Sequence, residues 1–162
     1  MSFEKTSFEE FDERFERLFP TSNDVTLVVL KGHLLMEEIV NGFMVDLLAN
    51  PTAIDVDQFR FAQRLRLVRA LLPVRHVDAL LDSAEKLNTL RNKIAHNIEH
   101  PKIDEYINKF LDDVGVSGTS EARKSANDTA IQLRASINFL CGQLHGFREG
   151  YKFVKSKKSP ET

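Results

Sequence analysis

Cysteine is almost missing from this 162-residue chain, with Cys141 the single one. One thiol cannot build an intrachain disulfide framework, which fits a reducing compartment. Cys141 lies in the apolar run Ile137-Asn138-Phe139-Leu140-Cys141 and reads as a small buried hydrophobe. No uninterrupted apolar run approaches the ~18 residues of a membrane span, so no membrane association is expected. Met1-Ser2-Phe3-Glu4-Lys5 leads into acidic and aromatic residues, not into a basic segment followed by an apolar one. No secretion signal is expected there, and the chain reads as cytoplasmic. A dominant charge of one sign is missing too, with a formal net charge of -2. That excludes a global nucleic-acid signature and leaves only a local patch, or one completed by a second subunit. There is no Gly-rich phosphate loop and no nucleophile elbow. His33, His76, His100 and His145 read as helix edge, helix start, loop and surface; no two share a ligand spacing of three or four. Neither a metal nor a cofactor is expected. Nothing alternates with a period of two over a useful length, which excludes strands.

What is present is helical periodicity, punctuated by Pro20, Pro51, Pro73 and Pro101. Residues 1–20 form a first unit. Phe8, Phe11, Phe15 and Leu18 recur at helical spacing against Glu9, Glu10, Asp12, Glu13 and Glu16, giving an amphipathic helix laid on the body of the protein. Residues 21–151 form the main helical domain. Its first helix, 24–49, has Ser22 or Asn23 as the expected cap and is apolar over most of its circumference, so it is either central or a subunit interface. Residues 58–72 carry apolar Phe59, Leu65, Val68 and Leu72, with Arg60, Arg64, Arg66 and Arg69 expected on an outer basic face. Helices follow at about 76–97, 103–113 and 120–150. In the last, Gly142, Gly146 and Gly150 recur every four residues and suggest close helix contact. Residues 152–162 are a basic, flexible tail. The fold class is all-α, most simply a four-to-five-helix up-and-down bundle.

The sharpest anomaly is Leu87-Asn88-Thr89-Leu90-Arg91-Asn92-Lys93-Ile94-Ala95-His96-Asn97. With about 100° per residue, Leu80, Ala84, Leu87, Leu90 and Ile94 share an apolar face, and Arg91 lies inside it. An unpaired buried arginine costs several kcal/mol. Either a carboxylate faces it, with Glu37 or Glu38 the candidate counter-ion, or it lines a cleft. Asn92 and His96, four apart, stack on an adjacent polar edge. Lys93 beside them is a candidate phosphate contact. Arginine grips phosphate through two parallel bonds, and an imidazole changes charge near neutrality and can move a proton.

The hexapeptide Arg91-Asn92-Lys93-Ile94-Ala95-His96 resembles the arginine, polar residue, three variable positions, histidine signature of the HEPN superfamily. Lys31-Gly32-His33-Leu34-Leu35-Met36-Glu37-Glu38 is similar to the acid-bearing second helix of several bacterial members, and the motif also resembles that of the mannitol-repressor-like branch. The resemblance implies a HEPN-like bundle in a homodimer whose two motif helices meet across a cleft. In active members it implies metal-independent RNA cleavage, here with Arg91, Asn92 and His96 as the catalytic set. It also admits a non-catalytic interaction protein: an immunity protein, an antitoxin or a transcriptional regulator, whose partner is a protein such as a toxin or an antitoxin.

Overall fold

The computed structural model describes residues 7–19, 21, 23–72, 75, 77–97, 99–115 and 129–158, and among them every regular element is helical. Helix α1, Ser7–Leu18, turns Phe11 and Phe15 inward and its carboxylates outward. It is tied down by Glu16, which accepts from Arg134 at 2.6 Å, and by the stacking of Phe11 on His145 at 5.1 Å between ring centres. Phe8 and Leu18, the other two members of the expected apolar stripe, are exposed.

Helix α2, Val25–Leu47, is the axis of the bundle and buries Val28, Val29, Met36, Ile39, Val40, Phe43 and Met44. Its cap is Asp24, whose Oδ1 accepts from the Leu27 N–H at 3.1 Å, so the carboxylate takes the role expected of Asn23 or Ser22. Ser22 lies outside the described residues. Helices α3 (Phe61–Leu71), α4 (Asp78–His96) and α5 (Ile103–Val114) follow, and Gly115 closes α5 at φ +65°, a left-handed conformation that glycine adopts without a Cβ clash. Helix α6 runs from Thr129 to Lys158, so the expected helix continues through 152–158 where a flexible tail was anticipated. Its expected start near 120 and the expected helix start at His76 fall outside the described residues. No described helix is long and apolar enough to cross a membrane.

The helices do not simply alternate in direction. Along α2 and α4 the contacts run antiparallel: His33 meets Asn88, while Val25 and Thr26 share a cavity with Ile94 and Asn97. Along α2 and α6 they advance together, from Gly32 against Ile137 to Asp46 against Arg148. Helices α2 and α3 are parallel as well, since Phe61 meets His33 and Leu71 shares a cavity with Phe43. The chain between them, with short 3-10 turns at Pro51–Ala53 and Val56–Gln58, is long enough to carry it back along α2. The expected up-and-down order therefore fails at the α2–α3 joint.

Close helix approach occurs at Gly32, where a Cβ would come within 2.7 Å of the buried Ile137 side chain. The glycines of α6 behave differently from expectation. A Cβ on Gly142 would meet Phe8 and Phe11 at an ordinary 3.6 Å, and one on Gly150 would meet nothing within 4 Å. They floor an open apolar cavity of about 1040 Å³, walled by Phe8, Leu71, Leu72, Phe147 and Val154. Cys141 is fully buried, and burial pushes its thiol up, which removes it from nucleophilic chemistry.

Candidate functional site

The end of α4 places the sequence-predicted residues in three directions. Arg91 and Asn92 are half-buried, and Arg91 Nη1 donates to Asn92 Oδ1 at 3.0 Å. His96, the last residue of α4, is exposed. Five residues at 3.6 per turn set Arg91 and His96 about 140° apart around the axis, while Asn92 and His96 lie on one edge. One chain thus joins Arg91 to Asn92 and aligns Asn92 with His96, but it does not bring Arg91 and His96 together. Lys93 turns toward α5, with its ammonium 5.3 Å from the centre of the Tyr106 ring.

Glu37 and Glu38 are the expected counter-ions of Arg91, and both have other partners. Glu38 receives both Nη atoms of Arg14 at 2.6 Å, and those bonds hold its carboxyl below the usual glutamate range. Glu37 stands 3.7 Å from Arg64 Nη1 and 3.7 Å from His33 Nδ1. The reason is angular: successive residues differ by about 100°, so Glu38 faces α1 and Glu37 faces α3. Among the described residues no carboxylate lies within the 4.0 Å of an ion pair with Arg91, a correction to the expected pairing.

Beside Arg91 the structure assembles a polar strip that the sequence reading passed over. His33 is 4% exposed and its Nε2 lies 2.9 Å from Asn88 Oδ1. The ring leans on Phe61 at 4.8 Å. Arg64, expected on an outer basic face, is 8% exposed and points inward, donating to Asn41 Oδ1 at 2.8 Å. Its Nε finds no acceptor among the described residues. The strip therefore runs from Asn41 and Arg64 through Glu37 and His33 to Asn88, with Arg91 close enough to act on the His33 charge. A signal for it was in the sequence: His33, Glu37 and Asn41 recur every four residues on a mostly apolar helix.

The strip has a sign that can be measured. Asn88 Oδ1 is an acceptor, so the His33 proton sits on Nε2 in the neutral ring, and Nδ1 is too far from Glu37 for a hydrogen bond. Burial holds the His33 pKa below its ordinary value and Arg91 pushes the same way, against the pull of Glu37 and Asn88. The unfolded ring titrates at about 6.5, so below that pH the unfolded state binds the extra proton. This contribution to stability is complete above about pH 6.5 and is lost as the pH falls toward the lower folded value. Thermal melts between pH 7 and pH 5 are expected to show a smaller drop in Tm for His33→Gln than for the wild type. Equal drops would reject His33 as the titrating group.

No family model matches the chain, and no curated protein or solved structure matches it. The side chains at the end of α4 carry the functional reading on their own. A cavity of about 710 Å³ opens there, lined by Val25, Thr26, Ile94, Asn97, His100 and Asp104. Among the described residues no three His, Cys, Asp or Glu side chains gather closely enough to hold a metal ion.

Proposed function

We propose that this chain is a HEPN-like, metal-independent endoribonuclease of toxin, stress or phage-defence type, acting as a homodimer with a composite site. The observation that carries the reading is Arg91. A half-buried guanidinium whose two expected counter-ions are held by Arg14 and by Arg64 with His33 keeps its charge for another anion. A phosphodiester suits it, because the planar fork binds two phosphate oxygens at once. Asn92, bonded to Nη1, fixes the orientation of that fork.

RNA cleavage of this kind needs a base for the 2′-OH proton, an acid for the leaving 5′-oxygen, and a cation for the phosphorane charge. The 2′-oxygen attacks phosphorus, the P–O5′ bond breaks, and a cyclic 2′,3′-phosphate and a 5′-hydroxyl result. An imidazole can take the 2′-OH proton as base and pass it to the 5′-oxygen as acid, so one His96 serves one phosphate, and a two-fold axis brings the partner's His96 to face Arg91. The axis also supplies the partner that a single chain lacks at this site, where Arg91 and His96 stand on separate flanks of α4. Support for a subunit contact comes from the outer face of α2. Leu34 is 64% exposed there, with Leu27 exposed on the same side and Leu30 half-buried between them. Apolar side chains clustered on one helix face are what a subunit interface uses.

A second reading, a non-catalytic HEPN-like protein (immunity protein, antitoxin or mannitol-repressor-like regulator), is favoured by the apolar cavity at the other end of the bundle. Phe8, Leu71, Phe147 and Val154 are exposed around it and suit a protein partner. Incubation of total RNA in EDTA with wild type and His96→Ala decides between the two. The enzyme reading expects fragments ending in cyclic phosphate from the wild type and at least ~100-fold slower cleavage by His96→Ala. Intact RNA at high protein, or equal cleavage by both, removes the catalytic assignment.

A further inference from the structure

Helices α4 and α5 meet over a cluster that the catalytic set leaves unused. Tyr106, on α5, is half-buried, and two ammonium groups attend its ring: Lys93 from α4 at 5.3 Å from the ring centre and Lys109 from α5 at 5.6 Å. His100 meets the same ring edge-on, 5.5 Å between centres and 84° between planes. The His100 side chain also lines the 710 Å³ cavity at this end of the bundle, beside Asn97 and Asp104. Its Nδ1 accepts from the Lys102 N–H at 3.2 Å, so the neutral ring carries its proton on Nε2 and offers a donor there. The cluster belongs to the same stretch of α4 as His96, since Lys93 lies three residues before it and about 60° round the axis.

Aromatic rings set among lysines are what proteins use to hold unpaired bases. The ring stacks on the face of a base, and the ammonium groups follow the strand's phosphates. A lysine over a ring is a weak contact on a flexible stem, so half-buried Lys93 and exposed Lys109 can exchange the ring for phosphate without loss of structure. Acidic groups stand nearby as well: Glu99 and Asp104 line the cavity and Glu105 lies 3.9 Å from Lys102. Carboxylates repel phosphate but accept from the exocyclic amines of bases, which suits a cavity that takes the base edge and not the backbone.

We infer that Tyr106, with His100 behind it and Lys93 and Lys109 beside it, is a stacking platform for one unpaired base of a single-stranded RNA next to the cleaved phosphate. The inference rests on the ribonuclease reading for its substrate, and it makes that substrate single-stranded, because a base paired in a duplex cannot lie flat on Tyr106.

The test is binding, kept separate from cleavage. A fluorescent 2′-O-methyl oligoadenylate has no 2′-hydroxyl to attack with, so the full-length protein can be titrated with it by anisotropy and not cut it. The wild type is expected to bind this strand at least tenfold more tightly than the same length of duplex. Tyr106→Leu is expected to weaken binding about tenfold and Tyr106→Phe to restore it, since the ring and not the hydroxyl does the stacking. Lys109→Gln, at an exposed position, is expected to lower the dependence of log Kd on log salt by about one. Failure of the wild type to bind the strand, or equal binding by Tyr106→Leu, overturns the platform. Tyr106-dependent binding by a protein that cuts no RNA in EDTA leaves the platform standing and removes the ribonuclease reading. Cleavage in EDTA with Tyr106→Leu binding like wild type does the reverse.

Discussion

Arg91→Ala chains co-expressed with His96→Ala chains are expected to recover about a quarter of wild-type RNA cleavage, although each variant alone keeps about a hundredth of it or less. The expectation follows from the angle between the two residues. Arg91 is half-buried at the seam facing α2, and His96 is exposed about 140° further round the same helix. If one phosphate is gripped by Arg91 of one protomer and served by His96 of the other, a mixed dimer holds one site with both groups and one site with neither. Half of the dimers in an equal mixture are mixed, and each has one of its two sites working. Were both groups drawn from the same chain, every site in the mixed dimer would lack one of them, and no activity would return. Either single variant is expected to lose about 10²–10³ in rate, the usual cost of removing a preorganised charge-stabilising or proton-transfer group. Arg91→Ala should leave Tm close to wild type, because no described carboxylate loses its partner. A collapse of Tm in that variant would mean that Arg91 is structural.

Phe110→Ala carries the largest expected loss of stability, about 3–5 kcal/mol in urea denaturation. Phe110 is fully buried at the centre of the apolar stripe that holds α5 to the bundle, between Ile107 and Leu111, with Ile103, Tyr106 and Val114 packed at its edges. A polar tie reinforces it: Asp113 accepts from Ser83 at 2.6 Å and from Lys86. Burial alone would raise the Asp113 pKa, but those two donors outweigh it and hold the carboxyl below the usual aspartate range. The tie thus survives to lower pH than a free aspartate would allow. Because Tyr106 rides on the same helix, Phe110→Ala is also expected to weaken binding of the single strand. Unchanged stability in urea would show that α5 is dispensable to the core.

Much of the fold was legible from periodicity, because the apolar spacing that marks a helix is also the spacing that buries it. Phe11 and Phe15 lie inward as the pattern of α1 requires, and α2, apolar nearly all round, lies at the centre. Direction was not legible. Nothing in the spacing of α2 or α3 says that the chain between them turns back along α2, so the alternating order was the simplest guess and it failed there. The arginines of α3 show a second limit. Arg60, Arg64, Arg66 and Arg69 look alike in sequence, yet Arg64 is buried against Asn41 and Glu37, while Arg69 is bound to Asp82 and lies 3.4 Å from Asp78. Which carboxylate meets which cation is decided by neighbouring helices, and no single helix encodes it. At the candidate site, Arg91, Asn92 and His96 were picked out by an arginine in an apolar face. His33, Asn88 and Tyr106 were passed over, because each reads as an ordinary residue until the helices are placed.

The parallel seating of α2 against α6 has a cost during synthesis. Asp46 and its partner Arg148 are 102 residues apart, and Gly32 makes its close approach to Ile137 in the same late helix. Chains are made at about 5–20 residues per second, so the most apolar helix waits roughly 5–20 s at the ribosome for the surface that covers it. During that interval the described helices that can shelter it are α1, α3, α4 and α5. A nascent chain of this shape should therefore bind hydrophobic-segment chaperones until α6 emerges.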